Sequence, residues 1–491
     1  MKNYFLKYRN NIIGIDQKIS TPYHNSIRLI YADWTGSGRS FLPIEKRIQE
    51  EILPFVANTH TEVNATGMGM TYAYHKAREI IKRHVNANTD DILILSGSGT
   101  TGAVNKFQRL LGLKIHEKLK DKITLTEEDR PIIFVTHMEH HSNQTSWLET
   151  IGEVKIIEPS SDGLVDLDNF KKLLKEYKSR KIKIAAVTAC SNVTGIFSPY
   201  QEIAKIIHAE NGFCFVDFAC AAPYVKIDMH PSDKETYLDA IYFSPHKFLG
   251  GPGSSGVLVF NKKLYSNSVP DEPGGGTVDW TNPWGEHKYH SNIEEREDGG
   301  TPPFIQTIRV ALCLKLKDEM GVENILKREK ELLEILWSRL SKIKQLHILA
   351  PEHKERLGII SFYIEGLHHN VGVKLLNDRF GIQTRGGCSC AGTYGHCLLN
   401  VSQELSKEIT NLINVNDLSK KPGWIRISLH PTMTDEEVLF IADCVESLAC
   451  NHMEWSKDYV IDKVKDTIAF NGKKGIVSIT DLIDSSLERK F

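Results

Sequence analysis

Lys247 closes the run Ser244-Pro245-His246-Lys247 and opens the turn Phe248-Leu249-Gly250-Gly251-Pro252-Gly253. The apolar runs 240–243 and 257–260 flank this segment. The pattern predicts strand, tight loop, strand, with the lysine held at a strand end. A lysine partly desolvated there, beside a hydroxyl and an imidazole, can lose its proton and attack a carbonyl carbon. Asp217 ends a second apolar run, Phe213-Cys214-Phe215-Val216, which reads as a strand buried on both faces. A carboxylate in that place needs a cation. Upstream, Gly97-Ser98-Gly99-Thr100-Thr101-Gly102 follows the apolar run 92–95 and precedes a helical pattern through Ala103, Val104, Phe107 and Leu110. Backbone amides at a helix start, with two threonine hydroxyls, suit a phosphate.

A nucleophilic lysine, a buried acid and a phosphate cup together match the needs of pyridoxal 5'-phosphate. The acid keeps the pyridine nitrogen charged and the lysine holds the aldehyde as a Schiff base. Two more segments suit the same ligand. Met138-Glu139-His140-His141-Ser142-Asn143 follows the strand-like run 132–135 and offers a ring to stack. The apolar stretch 182–189 runs into Cys190-Ser191-Asn192-Val193-Thr194-Gly195 and presents an amide side chain. In open α/β sheets ligands gather at the carboxyl ends of the strands, and all these polar clusters fall there.

On these motifs the chain resembles the class V, fold-type I pyridoxal phosphate enzymes, specifically the group II cysteine desulfurases and selenocysteine lyases. The matching pieces are Gly99-Thr100-Thr101, Glu139-His140-His141-x-Asn143, Ser191-Asn192-x-x-Gly195, Asp217-x-Ala219 and Ser244-x-His246-Lys247. Gly274-Gly275-Gly276, Gly300-Thr301-Pro302, Arg385 with Cys390-Ala391, and Arg426-Ile427-Ser428 continue the match, which spans about residues 28 to 450. The resemblance implies an α/β fold. Its large domain would hold a mostly parallel seven-stranded sheet, with a smaller C-terminal α+β domain beside it. It places the large cofactor-binding domain at 31–304 and the small domain at 1–30 plus 305–491, with no role for the tail 452–491. It also implies site roles. Lys247 would carry the cofactor and move protons at the substrate Cα, Asp217 would hold the pyridinium nitrogen, and His140 would stack on the ring. Thr100, Thr101, Ser244 and His246 would bind the phosphate, with Thr301 reaching in from the partner of a homodimer. Asn192 would contact the cofactor and the substrate carboxylate, His60 would lie on the substrate side, and Arg426 would clamp the carboxylate with its planar fork.

Cys390 decides the reaction. In the family a cysteine thiolate attacks the substrate sulfur and leaves alanine and an enzyme persulfide. Nearby positive charge activates such a thiol, and Arg385 lies five residues before Cys390. The loop 385–392 is too polar and glycine-rich for a core strand. Cys388 stays open as the alternative nucleophile, as do a disulfide between the two cysteines and resolution of a persulfide by one of them. The chain departs from the family twice. Cys220 stands where desulfurases carry a glutamine that donates to the cofactor, and a thiol is the weaker donor. The stretch from Cys390 to Arg426 is also long, with a polar helix-like segment at 401–414; it could narrow access or dock a partner.

Strand and helix patterns alternate from about residue 90 to 260, as a mostly parallel sheet requires. Residues 167–177 and 200–210 read as helices, 270–303 as long active-site loops, and 306–320 as the helix into the second domain. Strands at 358–364 and 424–430 and a helix at 436–448 follow. The 491 residues suffice for about two domains. With 60 basic and 62 acidic residues the net charge of −2 makes no case for nucleic acid or membrane. Nine cysteines without framework spacing favour a reducing cytoplasm. No signal-peptide core or membrane-spanning run is expected. The reading is a pyridoxal phosphate-dependent cysteine desulfurase, with selenocysteine as a further substrate and a sulfur-acceptor protein as a partner. The alternatives are a class V aminotransferase or a C–S lyase on another amino acid, with Cys390 a bystander. A silent cofactor-binding or sulfur-relay protein fits less well, since lysine, acid and clamp are intact. The glycine pattern at 97–102 formally matches a dinucleotide fingerprint, but Lys118-Leu119-Lys120-Asp121-Lys122 replaces the strand-end acid that fingerprint needs. No metal site is expected, because no Cys-x-x-Cys or His-Glu-x-x-His occurs.

Overall fold

The structure is a computed structural model that describes residues 1–491 apart from 60, 121, 419, 463, 465, 466, 473–478 and 491. The chain divides into two compact units. The larger comprises residues 37–191 and 197–322, the smaller 1–36, 192–196 and 323–491.

The larger unit is built on seven strands: β1 (Asp91–Leu95), β2 (Ile132–Thr136), β3 (Glu153–Ile157), β4 (Lys183–Thr188), β5 (Phe213–Asp217), β6 (Ala240–Phe243) and β7 (Val257–Asn261). Their spatial order is β1-β7-β6-β5-β4-β2-β3. Only β7 runs antiparallel to its neighbours; the other pairings are parallel. Continuous apolar runs produce this arrangement. β1, β2 and β4 are buried along their whole length, as a sheet covered on both faces demands. Helix α1 (Ala65–His84) precedes the sheet; α2 (Thr100–Leu110), α3 (His141–Leu148), α4 (Leu167–Glu176) and α5 (Tyr200–Ala209) lie between its strands, and α6 (Phe304–Met320) follows. Alternate strand residues such as Ile94, Val135, Ala186, Phe215 and Tyr242 share one face and pack with Ala103, Val104 and Phe107 of α2. That packing fixes the N-terminus of α2 relative to the strand ends. The fold is the fold-type I architecture expected from the motifs.

The smaller unit contains α7 (Val322–Leu340), β8 (Leu346–Ile348), β9 (Ile359–Ile364), α8 (His369–Phe380), β10 (Arg385–Gly387), α9 (Gly392–Leu398), α10 (Gln403–Asn414), β11 (Trp424–Ser428) and α11 (Asp435–Trp455). The strands form an antiparallel sheet in the order β8-β9-β11-β10, so the α+β character matches expectation. Thr434 and Glu437 start α11 with a reciprocal capping box.

The units are not divided where the sequence suggested. The helix expected to open the second domain, α6, belongs to the larger unit, because Ile308 and Ala311 pack against Ala77 of α1. Residues 31–36 and 192–196 fall with the smaller unit. The glycine-rich run after Arg385 begins as a short edge strand rather than a loop. Residues 270–303 include an antiparallel hairpin, Val278–Thr281 with His287–Tyr289. No helix among the described residues is long and apolar enough to cross a membrane.

Candidate active site

Asp217 stands at the carboxyl end of β5 and is 3% exposed. One carboxylate oxygen accepts the Ala219 N–H at 2.7 Å. Burial pushes its pKa up to about 6, against the lowering effects of the Ala219 N–H and of the Lys247 charge. Lys247 ends a 3-10 turn, Pro245–Lys247, directly after β6, so adjacent parallel strands deliver the acid and the lysine. His246 is pushed down to about 4 by burial and then by Lys247. It is a neutral imidazole at physiological pH and offers one N–H rather than a positive charge.

The segment 97–102 turns from β1 into α2, and Ser244 closes it from the end of β6. Ser244 Oγ accepts the Thr100 N–H at 2.8 Å and pairs with Thr100 Oγ1 at 2.8 Å. Thr101 Oγ1 pairs with Ser142 Oγ at 2.7 Å. A Cβ on Gly99 would lie 2.9 Å from Ser244 Oγ and 3.5 Å from the His246 ring, while one on Gly256 would lie 2.4 Å from Gly99 O. The glycines therefore leave a bare backbone cup rimmed by hydroxyls, the donor set a phosphate monoester takes. His140 caps α3, its Nδ1 accepting the Ser142 N–H at 3.1 Å. Pyridoxal phosphate fits this set on three counts: a hydroxyl-rimmed cup at a helix N-terminus, a carboxylate whose pKa burial raises, and a lysine after the next strand. Thr301 lies exposed after Gly300, in the loop that precedes α6.

Sequence reasoning missed the polar layer under His140. Glu139 is fully buried and its pKa rises to about 7, chiefly through burial. It accepts Thr136 Oγ1–H at 2.6 Å, the Thr188 N–H at 2.8 Å and an Asn143 amide N–H at 2.8 Å. Asn143 Oδ1 accepts the Tyr242 hydroxyl at 2.5 Å and the Trp147 indole N–H at 3.2 Å. The network ties β2, β4 and β6 to α3 and so fixes where His140 projects. Both residues stand in the Glu-His-His-x-Asn motif, but Glu139 precedes the cap of α3, so its contact with Asn143 comes from the turn into the helix and not from helical spacing. Cys220, where a glutamine was expected, is buried, with its sulfur 3.6 Å from Ser191 O as a donor contact.

The smaller unit carries the second group of candidates. Arg385 and Arg426 are directly opposite each other on β10 and β11. Like charges so placed repel, and Asp33 lies between them. Arg426 Nη2 donates to Asp33 Oδ1 at 2.7 Å and Arg426 Nη1 to Asn192 O at 3.0 Å. Arg385 Nε and Nη2 reach Asp33 Oδ2 at 3.0 and 2.8 Å. The Asn192 amide donates to Ser389 O at 2.8 Å, so it anchors the cysteine turn rather than projecting freely. The Trp424 indole N–H donates to Ser389 Oγ at 3.2 Å, and the Ala391 N–H to Cys388 O at 3.0 Å. Ser389 and Cys390 adopt φ of 52° and 57°, a left-handed pair of non-glycine residues that costs about 1–2 kcal/mol each. Strain of this kind collects at functional sites. It leaves Cys390 exposed and Cys388 half-buried, and both are free thiols rather than a disulfide. Asp33 first, and more weakly the charge of Cys390, raise the Arg385 pKa, so this thiol lies within electrostatic reach of the guanidinium. His60 lies outside the described residues.

The chain belongs to the class-V aminotransferase family, whose model matches residues 30–440. It is 30% identical over 385 residues to a probable cysteine desulfurase of Halalkalibacterium halodurans, covering 77% of this chain and 86% of that protein. A probable cysteine desulfurase of Staphylococcus epidermidis is also 30% identical, over 77% of this chain and 85% of its own length. Among solved structures, the apo cysteine desulfurase of Thermococcus onnurineus shares the fold with a TM-score of 0.71 at 22% identity, over 91% of this chain and 98% of that one. The Escherichia coli cysteine desulfurase CsdA gives 0.67 at 21% identity, over 85% and 94%.

Proposed function

We propose that this chain is a pyridoxal phosphate-dependent cysteine desulfurase that converts L-cysteine to L-alanine and leaves the sulfur as a persulfide on Cys390. The observation that carries the reading is the exposed, strained Cys390 turn beside the Arg385–Asp33–Arg426 cluster, in a chain that also holds the Lys247–Asp217 pair. An aminotransferase has no use for such a thiol.

When bound, pyridoxal phosphate supplies an electron sink for negative charge at the substrate Cα. The residues that would hold it are Lys247 at its aldehyde carbon, Asp217 at the ring nitrogen and His140 against the ring. Thr100, Thr101, Ser244 and neutral His246 would take its phosphate. Because Asp217 is buried, a protonated ring nitrogen restores it to the ionised state it resists alone. Lys247 takes and returns the proton at the substrate Cα. Arg426 receives the substrate carboxylate, with Asn192 and Arg385 alongside. The Cys390 thiolate attacks the substrate Sγ, the Cβ–Sγ bond breaks, and a proton completes alanine. The balance is L-cysteine plus Cys390–SH to L-alanine plus Cys390–S–SH. Selenocysteine is a second substrate, since selenium leaves carbon more readily. The persulfide then passes to a thiol acceptor protein.

The working unit is a two-fold homodimer in which Thr301 completes the partner's phosphate site, in a reducing compartment such as the cytoplasm, where a reactive thiol persists. The test is direct. Purified protein should take up pyridoxal phosphate with a visible absorption band that Lys247→Ala removes, and should release alanine from L-cysteine. A colourless protein that takes up no cofactor under any condition contradicts the reading.

A further inference from the structure

Lys317, on α6, carries a buried amino group at 2% exposure. A charge so placed is costly unless its donors are met, and here the three N–H groups of an ammonium have three acceptors. Nζ donates to Ala222 O at 2.7 Å, to Val225 O, and to His84 Nε2 at 3.3 Å. His84 Nδ1 lies 2.9 Å from an Asp318 carboxylate oxygen. Burial holds the His84 pKa down against that carboxylate, so the neutral ring donates from Nδ1 to Asp318 and accepts at Nε2. Burial also draws the Lys317 pKa down, to about 7.

Both carbonyls belong to one helical turn, and Asp217 opens it by accepting the Ala219 N–H. The Ala222 N–H to Phe218 O bond at 2.7 Å and the Val225 N–H to Ala221 O bond at 3.1 Å continue the turn. Its last carbonyls have no partner within it, and a cation is favoured at that end. Asp217 therefore caps the start of the turn and Lys317 its end. The same Nζ lies 5.6 Å from the centroid of the Phe248 ring, and Phe248, 1% exposed, directly follows Lys247. α6 is itself held against α1, which carries His84, through Ile308, Ala311 and Ala77. One side chain on a rigid helix pair thus holds the segment after the acid and the segment after the lysine.

We propose that Lys317 is a positioning residue of the cofactor site: it ties the turn after Asp217 to the ring after Lys247 and so sets the acid and the lysine in the register that pyridoxal phosphate needs. The inference rests on the cofactor reading. Lys317 acts through those two segments and is not a catalytic residue.

Pyridoxal phosphate binding by the full chain, with the circular dichroism of the bound cofactor's visible band, tests this without turnover. The dichroism reports how firmly the ring is oriented. Lys317→Met, similar in length but without donors, should weaken cofactor affinity roughly tenfold or more and lower the dichroism per bound cofactor. Lys317→Arg, which keeps charge and donors, should recover most of both. Leu314→Ala, at a buried position of the same helix, lowers the melting temperature by opening a cavity and should leave both readings at wild-type values. If Lys317→Met does not fold, Lys317→Gln replaces it, with two donors and no charge, and the same direction of change is expected. Lys317 variants that lose thermal stability as Leu314→Ala does, yet keep wild-type affinity and dichroism, would reduce Lys317 to a structural anchor and overturn the proposal alone. A wild type that takes up no cofactor would remove the cofactor reading and this inference with it.

Discussion

At the scale of single residues, burial sets the protonation of the acids in the candidate site. Burial raises the Asp217 pKa to about 6 in the folded chain, against 3.8 for a free aspartate side chain. An acid with a raised pKa binds its proton more tightly when folded, so its burial costs nothing below pH 3.8. The cost grows as pH rises from there to about 6 and is constant above, at about 3 kcal/mol. Cofactor-free Asp217→Asn should therefore be more stable than wild type at pH 7.5, by up to that amount. The advantage should shrink as pH falls below 6, and cofactor affinity should be lost. Denaturant titrations of both proteins at several pH values check this, and an advantage independent of pH contradicts it. Glu139, raised to about 7, should behave alike, its burial offset only in part by hydrogen bonds from Thr136, Thr188 and Asn143.

At the scale of elements, what can be read from sequence divides by distance along the chain. Lys247, Asp217 and the 97–102 cup were legible because each ends an unbroken apolar run, and a buried parallel sheet puts such ends on one edge. Helices α4 and α5 came out within a residue or two of expectation, since their apolar spacing is local. Asp33 could not be found this way. Its partners lie 352 and 393 residues on, and only the pairing of β10 with β11 brings them together. The α6 boundary failed for a related reason: apolar periodicity marks a buried face but not which neighbour covers it, and here α1 does. The cysteine turn likewise depends on a remote residue. Asn192→Ala removes its bond to Ser389 O and should cost about 1–3 kcal/mol for the buried group left unpaired. It should also speed alkylation of Cys390 by iodoacetamide, because the turn loses an anchor. Thermal melts and timed mass spectrometry check both, and unchanged alkylation would mean that the strained φ pair is held by Trp424 and Ala391 alone.

At the scale of the whole molecule, the two units divide the proposed labour. Lys247, Asp217, His140, Thr100, Thr101, Ser244 and His246, proposed to hold the cofactor, lie in the larger unit; Asn192, the arginine pair and Cys390 lie in the smaller. The proposal that Thr301 completes a neighbouring site requires a homodimer, and under it Thr301→Ala should weaken cofactor retention. In mixed dimers, a Lys247→Ala chain paired with a Thr301→Ala chain should keep one intact site and about half the wild-type activity, one site in two. Fully active monomers in light scattering would contradict this. The central claim is that sulfur moves from substrate to Cys390, and the direct measurement is the product formed from L-cysteine by wild type, Cys390→Ser and Cys388→Ser, with persulfide mapped by mass spectrometry. The account predicts alanine and a Cys390 persulfide from wild type, alanine retained in Cys388→Ser, and neither product from Cys390→Ser although it still binds cofactor. Keto acid, or pyruvate with ammonia, formed equally by all three would contradict the desulfurase assignment and leave an aminotransferase or a C–S lyase in its place.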